Sequence, residues 1–231
     1  MTDAVWHEIK ADAFAKTVAD YAERCIVDAI AERGAAIIAV PGGGTPGPAL
    51  KLLAARDIDW KRLTILPGDD RQVRANDPLS NFAMVREIFG ETGARLVGLA
   101  DALADAKAAG RAADTRLADL PAPFDLVWLG AGGDGHTASI FPGPDYEEAL
   151  TTTARALGVT PDPLPPEAPV ARVTLSAHAI SSARAILLTI TGNAKRDVVK
   201  TALAQGADSV YPVGRVLARA AISPDIIWSA A

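Results

Sequence analysis

The 231-residue chain carries one cysteine, three histidines and no excess of basic side chains, and each scarcity removes a class of function. Cys25, being alone, cannot close an internal disulfide and leaves no second thiol for a zinc cluster. It falls on the apolar stripe of an expected helix and reads as a buried structural thiol. The histidines, His7, His136 and His178, show no His-x-His or His-x-x-x-His spacing, so no metal site is expected. A net charge of −5 and a pI near 5.2 argue against general nucleic-acid binding. A few placed arginines or lysines can still hold a small anion. No apolar run approaches the ~18 residues of a bilayer span, so no membrane partner is expected. The opening MTDAVWHEIKADAF has early acids and no apolar core, unlike a secretory signal. These absences lead to the expectation of a cytoplasmic protein and leave its oligomeric state open.

What remains is an ordinary globular composition, 49% hydrophobic and 22% charged, with enough chain for one sizeable core. Phe14, Val18, Tyr21, Cys25, Ile26, Ala29 and Ile30 follow helical spacing up to Gly34. AAIIAV (35–40), RLTIL (62–66), RLVGL (95–99), FDLVWL (124–129), RVTLS, RAILLTIT and IIW (226–228) read as strands. ALKLLAAR, NFAMVREIF, an alanine-rich stretch (101–118) and NAKRDVVKTALA read as helices. Such alternation predicts an α/β fold, an open, mostly parallel sheet with helices on both faces in a modified Rossmann-like arrangement. No internal repeat or second composition regime appears, so one domain is expected over 1–231. The five prolines of GVTPDPLPPEAPV (158–170) mark a surface excursion rather than a linker.

In an open α/β sheet, ligands bind beyond the carboxyl ends of the strands. PGGGTPGP follows AAIIAV, the polar loop PGDDRQV follows RLTIL, GAGGDGHTAS follows FDLVWL, and Gly192-Asn193-Ala194-Lys195 follows RAILLTIT. These loops therefore converge on one edge of the sheet. Gly43, Gly44 and Thr45 can offer backbone N–H groups and a hydroxyl to an oxyanion beside a helix N-terminus, although glycines serve a tight turn equally well. No Gly-Lys-Ser/Thr follows, so the loop is not a Walker A motif. Residues 130–135 satisfy G-x-G-x-x-G, but Pro142 and Pro144 prevent a long helix from opening there, and no ribose-binding acid follows at the required spacing. A dinucleotide is thus excluded, and no cofactor is expected. The loop instead presents His136, with Asp134 two residues before it as a carboxylate able to fix its tautomer. Asp69, Asp70 and Arg71 can supply a carboxylate and a guanidinium at a strand end; Arg172 and Lys195 read by default as solvated charges.

Taken together, the stretches resemble the 6-phosphogluconolactonase family of sugar-phosphate isomerase-like proteins, in order over nearly the whole chain. GGGTP is similar to its Gly-Gly-Ser-Thr-Pro, and PGDDRQV with the later SN to its Gly-Asp-Glu-Arg and Ser-Asn. GAGGDGHTASIFP is similar to its Gly-x-Gly-x-Asp-Gly-His-Thr-Ala-Ser-Leu-Phe-Pro, the most specific of the matches, and RVTLS and GNAKRDVV to its later strand and lysine-bearing turn. The resemblance implies cofactor-free hydrolysis of 6-phospho-D-glucono-1,5-lactone to 6-phosphogluconate in the pentose phosphate pathway. It implies a small-molecule sugar-phosphate partner surrounded by Gly43, Gly44, Thr45, Asp69, Arg71, Arg172 and Lys195. His136 would then be the general base, Asp134 its orienting group, and Arg71 or nearby backbone N–H groups the oxyanion stabiliser. Departures are Gly44 for the usual serine, Asp70 for the usual glutamate, and a C-terminal IIWSAA without the acid that often follows tryptophan. An aldose–ketose isomerase or amino-sugar-phosphate deaminase of the same fold is the alternative, with Asp69 shuttling a proton. Such relatives follow Asp-Gly-His with a Glu-bearing segment where this chain reads TASIFP. A non-catalytic sugar-phosphate sensor would keep the phosphate loops but have no need of His136.

Overall fold

A computed structural model describes residues 4–100 and 105–230. Strand β1 (Val5–Glu8) leads into helix α1 (Ala11–Arg33), whose buried Phe14, Val18, Ala22, Ile26 and Ala29 recur at helical spacing. Strand β2 (Ala36–Val40), helix α2 (Gly47–Ala54) and strand β3 (Leu63–Pro67) follow, then β4 (Asp69–Arg71), helix α3 (Asn81–Phe89) and β5 (Arg95–Leu96). Helix α4 (Ala106–Ala118) starts at Asp105, whose carboxylate accepts the Ala108 N–H at 2.9 Å. Beyond it lie β6 (Leu126–Gly130), α5 (Tyr146–Thr151), β7 (Ala156–Val159), β8 (Arg172–Leu175) and α6 (Ala177–Ser181). The chain continues through β9 (Ile186–Thr191), α7 (Asn193–Gln205), α8 (Pro212–Leu217) and β10 (Asp225–Ser229).

Seven strands form a parallel sheet in the order β1-β10-β9-β6-β2-β3-β5. Its central strands are apolar on both faces, as burial under helices on each side requires. Ala36, Ile38, Val40, Leu63, Ile65, Leu126 and Trp128 pack toward α1, α2 and α3. Ile37, Ala39, Val127, Leu129, Leu188 and Ile190 pack toward α4, α6, α7 and α8. From β2 the chain adds β3 and β5 on one side; from β6 it adds β9 and β10 on the other. The order reverses between β2 and β6, the position at which open α/β sheets bind ligands.

The expected fold class is observed, with differences in detail. RVTLS does not join the parallel sheet, and PGDDR is not all loop. Asp69–Arg71 pairs with Arg172–Leu175, and the latter with Ala156–Val159, in a separate antiparallel sheet of order β4-β8-β7. The proline-rich 160–171 connection contains no helix, and without a crossover helix β7 and β8 meet antiparallel. The strand expected over 95–99 pairs only at Arg95–Leu96, plus one bond from Val97 N–H to Ile65 at 2.9 Å. Its neighbour β3 ends at Pro67, which has no N–H for a longer ladder. The alanine-rich helix expected over 101–118 runs from Ala106, residues 101–104 lying outside those described. The Cys25 thiol is half-buried rather than fully buried, and burial pushes it up to about 11.

Helix α4 and strand β7 approach so closely that only glycines fit between them. A Cβ on Gly158 would lie 1.5 Å from the Ala106 carbonyl oxygen, and one on Gly110 would lie 2.0 Å from the Gly158 nitrogen. Both obstacles are backbone, which cannot rotate away. Gly158→Ala is therefore expected to cost at least the ~1–3 kcal/mol of an overpacked core. Chemical denaturation checks this; an unchanged midpoint would contradict it.

Candidate active site

At the β2/β6 reversal the loops enclose an open cleft of about 280 Å³, lined by Gly43, Gly44, Thr45, Asp69, Arg71, His136, Arg172 and Lys195 among others. Of the expected candidates, Asp134 and Asp70 stand outside this cleft's wall, Asp134 against the His136 ring. After β2 the chain turns through Gly43, Gly44 and Thr45, all exposed, before α2 begins. Their N–H groups take no partner among the described residues, leaving a row of donors at the mouth of the cleft.

The second sheet supplies the cations. Arg71 on β4 and Arg172 on β8 are directly paired across the antiparallel ladder. Like charges opposite each other are destabilising, and neither guanidinium has a carboxylate within ion-pair distance among the described residues. Arg172, only 3% exposed, donates to the Ala168 and Val170 carbonyls at 2.9 and 3.2 Å. Burial, reinforced by the Arg71 charge, lowers its affinity for its proton. Arg71 donates to the Leu79 carbonyl at 2.8 Å, and its Nε is buried without a partner. Two guanidiniums with no ion-paired carboxylate among the described residues thus face the cleft, a geometry suited to an anion.

Lys195 adds a third cation from the first turn of α7 rather than from a free turn. The helix dipole opposes a cation there unless an anion is shared. Trp228 Nε1 donates to the Gly192 carbonyl at 3.0 Å and Gly192 N–H to Ser229 at 2.8 Å, fixing the start of that helix.

The two neighbouring acids have different surroundings. Asp69 lines the cleft, but its carboxylate accepts Ser139 Oγ at 2.5 Å and Asn81 Nδ2 at 3.4 Å. Asp70 points away, into the start of α3, accepting the Asn81, Arg71 and Phe82 N–H groups and the Ser80 hydroxyl at 2.6 to 3.3 Å. Asp70 is thus a helix-start acceptor. Burial pushes the Asp70 carboxyl up to about 6, partly offset by its backbone donors. Because the unfolded group titrates near 3.8, its contribution to stability is fully present below that value and lost as pH rises through about 6. The stability of Asp70→Asn relative to wild type should therefore improve as pH is raised across that window. Thermal unfolding at several pH values measures it, and a difference that does not move with pH would contradict it.

His136 stands beyond the end of β6. Its Nδ1 lies 2.5 Å from Asp134 Oδ1, and its own N–H reaches the same oxygen at 3.2 Å. That hydrogen bond holds the Asp134 carboxyl below its ordinary range. A carboxylate on Nδ1 fixes the neutral tautomer that leaves Nε2 as the acceptor, and Nε2 has no partner among the described residues. Gly132 makes this pair possible: a Cβ there would stand 2.3 Å from the imidazole ring and 2.4 Å from Asp134 Oδ1. No helix opens after the glycines before Tyr146.

His7 and His178 lie away from the cleft. His7 bonds Asp225 at 2.6 Å between β1 and β10, and His178 is exposed on α6. Asn81, Ser139, Phe141 and Glu167 carry no role in the sequence reading, yet Asn81, Phe141 and Glu167 line the cleft and Ser139 holds Asp69. The Ser-Asn pair and the TASIFP segment were signals for three of them; nothing in the proline-rich stretch singles out Glu167. Among the described residues, no group of three or more His, Cys, Asp or Glu side chains could hold a metal ion.

Comparison with known proteins matches residues 9–228 to the model for glucosamine-6-phosphate isomerases/6-phosphogluconolactonase. A 6-phosphogluconolactonase of Rhizobium meliloti is 37% identical over 221 residues, covering 94% of each chain. One from Pseudomonas aeruginosa is 36% identical over 80% of this chain and 79% of that protein. The crystal structure of a 6-phosphogluconolactonase from Shewanella baltica superposes with a TM-score of 0.90 at 34% identity, covering 98% of each chain.

Proposed function

Since the chain belongs to the glucosamine-6-phosphate isomerase/6-phosphogluconolactonase family, we propose that it hydrolyses 6-phospho-D-glucono-1,5-lactone with His136 as the general base. Lactone hydrolysis, a step of the pentose phosphate pathway, is the activity of the relatives along nearly the whole chain. The observation that carries the role of His136 is its pairing with Asp134 through Nδ1 at the cleft wall, with Nε2 unpartnered among the described residues.

Nε2 takes a proton from water as the water oxygen attacks the lactone carbonyl carbon. The resulting oxyanion is steadied by Arg71 or neighbouring N–H groups. When the bond between that carbon and the ring oxygen breaks, the imidazolium returns its proton to the departing oxygen, and the new acid ionises to the carboxylate. Asp134 keeps the ring in one tautomer and stabilises its charged form. Asp134→Asn is expected to slow turnover less than loss of the imidazole does, because the base remains. Steady-state rates of both variants test this; equal losses would make Asp134 more than an orienting group.

The phosphate is assigned to the N–H groups of Gly43, Gly44 and Thr45, to Lys195 and to Arg172. Their support is that, among the described residues, the loop N–H groups have no partner and the cations no ion-pair partner. Lys195→Ala should weaken 6-phosphogluconate binding about ten- to hundredfold, the size of a charge-assisted hydrogen bond, with little change in stability. Unchanged affinity by calorimetry would count against the assignment. An isomerase needs a free carboxylate between adjacent sugar carbons, whereas Asp69 is engaged by Ser139 and Asn81, and Asp70 faces α3.

Residues 1–231 are proposed as one domain, since side chains from both sheets line one cleft. A cytoplasmic location completes the proposal, in keeping with an unpaired cysteine; among the described residues, no helix is long and apolar enough to cross a membrane.

A further inference from the structure

Five residues beyond His136, the chain folds back and lays Phe141 against the imidazole. The ring centroids are 4.2 Å apart and the planes 29° from parallel. The fold-back is a short turn closed by Ile140 N–H to the Thr137 carbonyl at 3.0 Å and anchored by fully buried Ile140. Ala138 within it sits at φ 48°, in the left-handed region that a Cβ disfavours. The backbone is strained where it brings the two rings together. Phe141 is no ordinary core residue, for it is only half-buried and lines both the main cleft and the adjoining hollow under the 160–171 connection.

We propose that Phe141 is a positioning residue for His136, holding the imidazole plane so that Nε2 stays turned to the cleft and seating the protonated ring against its π face. The inference rests on the general-base reading of His136. Asp134 restrains the ring through one atom, which still permits rotation about that hydrogen bond; a stacked arene removes this freedom. An aromatic face also attracts the positive charge that the imidazole acquires as it takes the water proton. The charged groups around the ring are Asp134 on its own loop, Asp162 and Glu167 from the 160–171 connection, and Asp69, Arg71, Arg172 and Lys195 along the cleft. None of them is aromatic, so none replaces the stack.

Phe141→Leu keeps an apolar side chain and removes the π face. It should lower kcat for the lactone about 2- to 30-fold, the range of a cation–π contact, and leave KM unchanged. The acid limb of the rate profile should move to lower pH, since the charged imidazole has lost a stabilising neighbour. Phe141→Trp should restore both. NMR titration of the His136 ring in the unliganded protein reads the same shift without reference to turnover. If Phe141→Leu fails to fold, Phe141→Met carries the same comparison. Wild-type kcat and wild-type titration in the folded variant overturn the inference while the role of His136 stands. A His136→Gln protein as active as wild type overturns both.

Discussion

His136→Ala should hydrolyse the lactone about 10²–10⁴-fold more slowly than wild type, the usual contribution of a positioned general base. It should still bind 6-phosphogluconate, because the phosphate contacts come from other loops: Gly43 to Thr45 after β2, Arg172 on β8 and Lys195 on α7. The fold should persist as well. His136 is half-buried beside an open cleft, and its loss leaves Asp134, already more than half exposed, free to take water. A purely structural histidine makes the opposite forecast, a lower melting temperature with activity falling only as far as the folded fraction. Single-turnover hydrolysis and thermal unfolding on the same variant separate the two.

Gly132→Ala is expected to be nearly as damaging without touching a functional group. The added methyl would meet the His136 ring at 2.3 Å and Asp134 Oδ1 at 2.4 Å, so the pair has to part. A displacement of about 1 Å at a reacting group can cost on the order of 10²-fold in rate. The loss should fall on kcat, since Gly132 lies on the His136 loop and not on those assigned to the phosphate. Wild-type kcat in Gly132→Ala would mean that the Asp134–His136 contact is dispensable.

The parallel sheet and its convergent loops were legible because the relevant signals are local. AAIIAV and FDLVWL are short apolar runs that only strands buried on both faces would carry, and each is followed at once by a glycine-rich break. His136 could be singled out for the same reason, since its glycines, its acid and its ring lie within one loop. The second sheet was not legible. Asp69-Asp70-Arg71 looks like a solvated turn unless the partners of each side chain are known, and these come from Leu79, Ser80, Asn81 and Ser139. Sequence distance also concealed the Arg71–Arg172 apposition, which arises only when β4 meets β8. The stacking of Phe141 depends on a left-handed Ala138, a conformation that alanine does not advertise.

The central claim is that this cleft opens a phosphorylated lactone rather than interconverting sugar phosphates. It is tested most directly by giving the purified protein 6-phospho-D-glucono-1,5-lactone and, in parallel, glucosamine 6-phosphate and the hexose 6-phosphates. The expected result is acid release from the lactone well above its spontaneous rate, with the other sugars unchanged. Conversion of a sugar phosphate while the lactone decays only at its background rate would contradict the account.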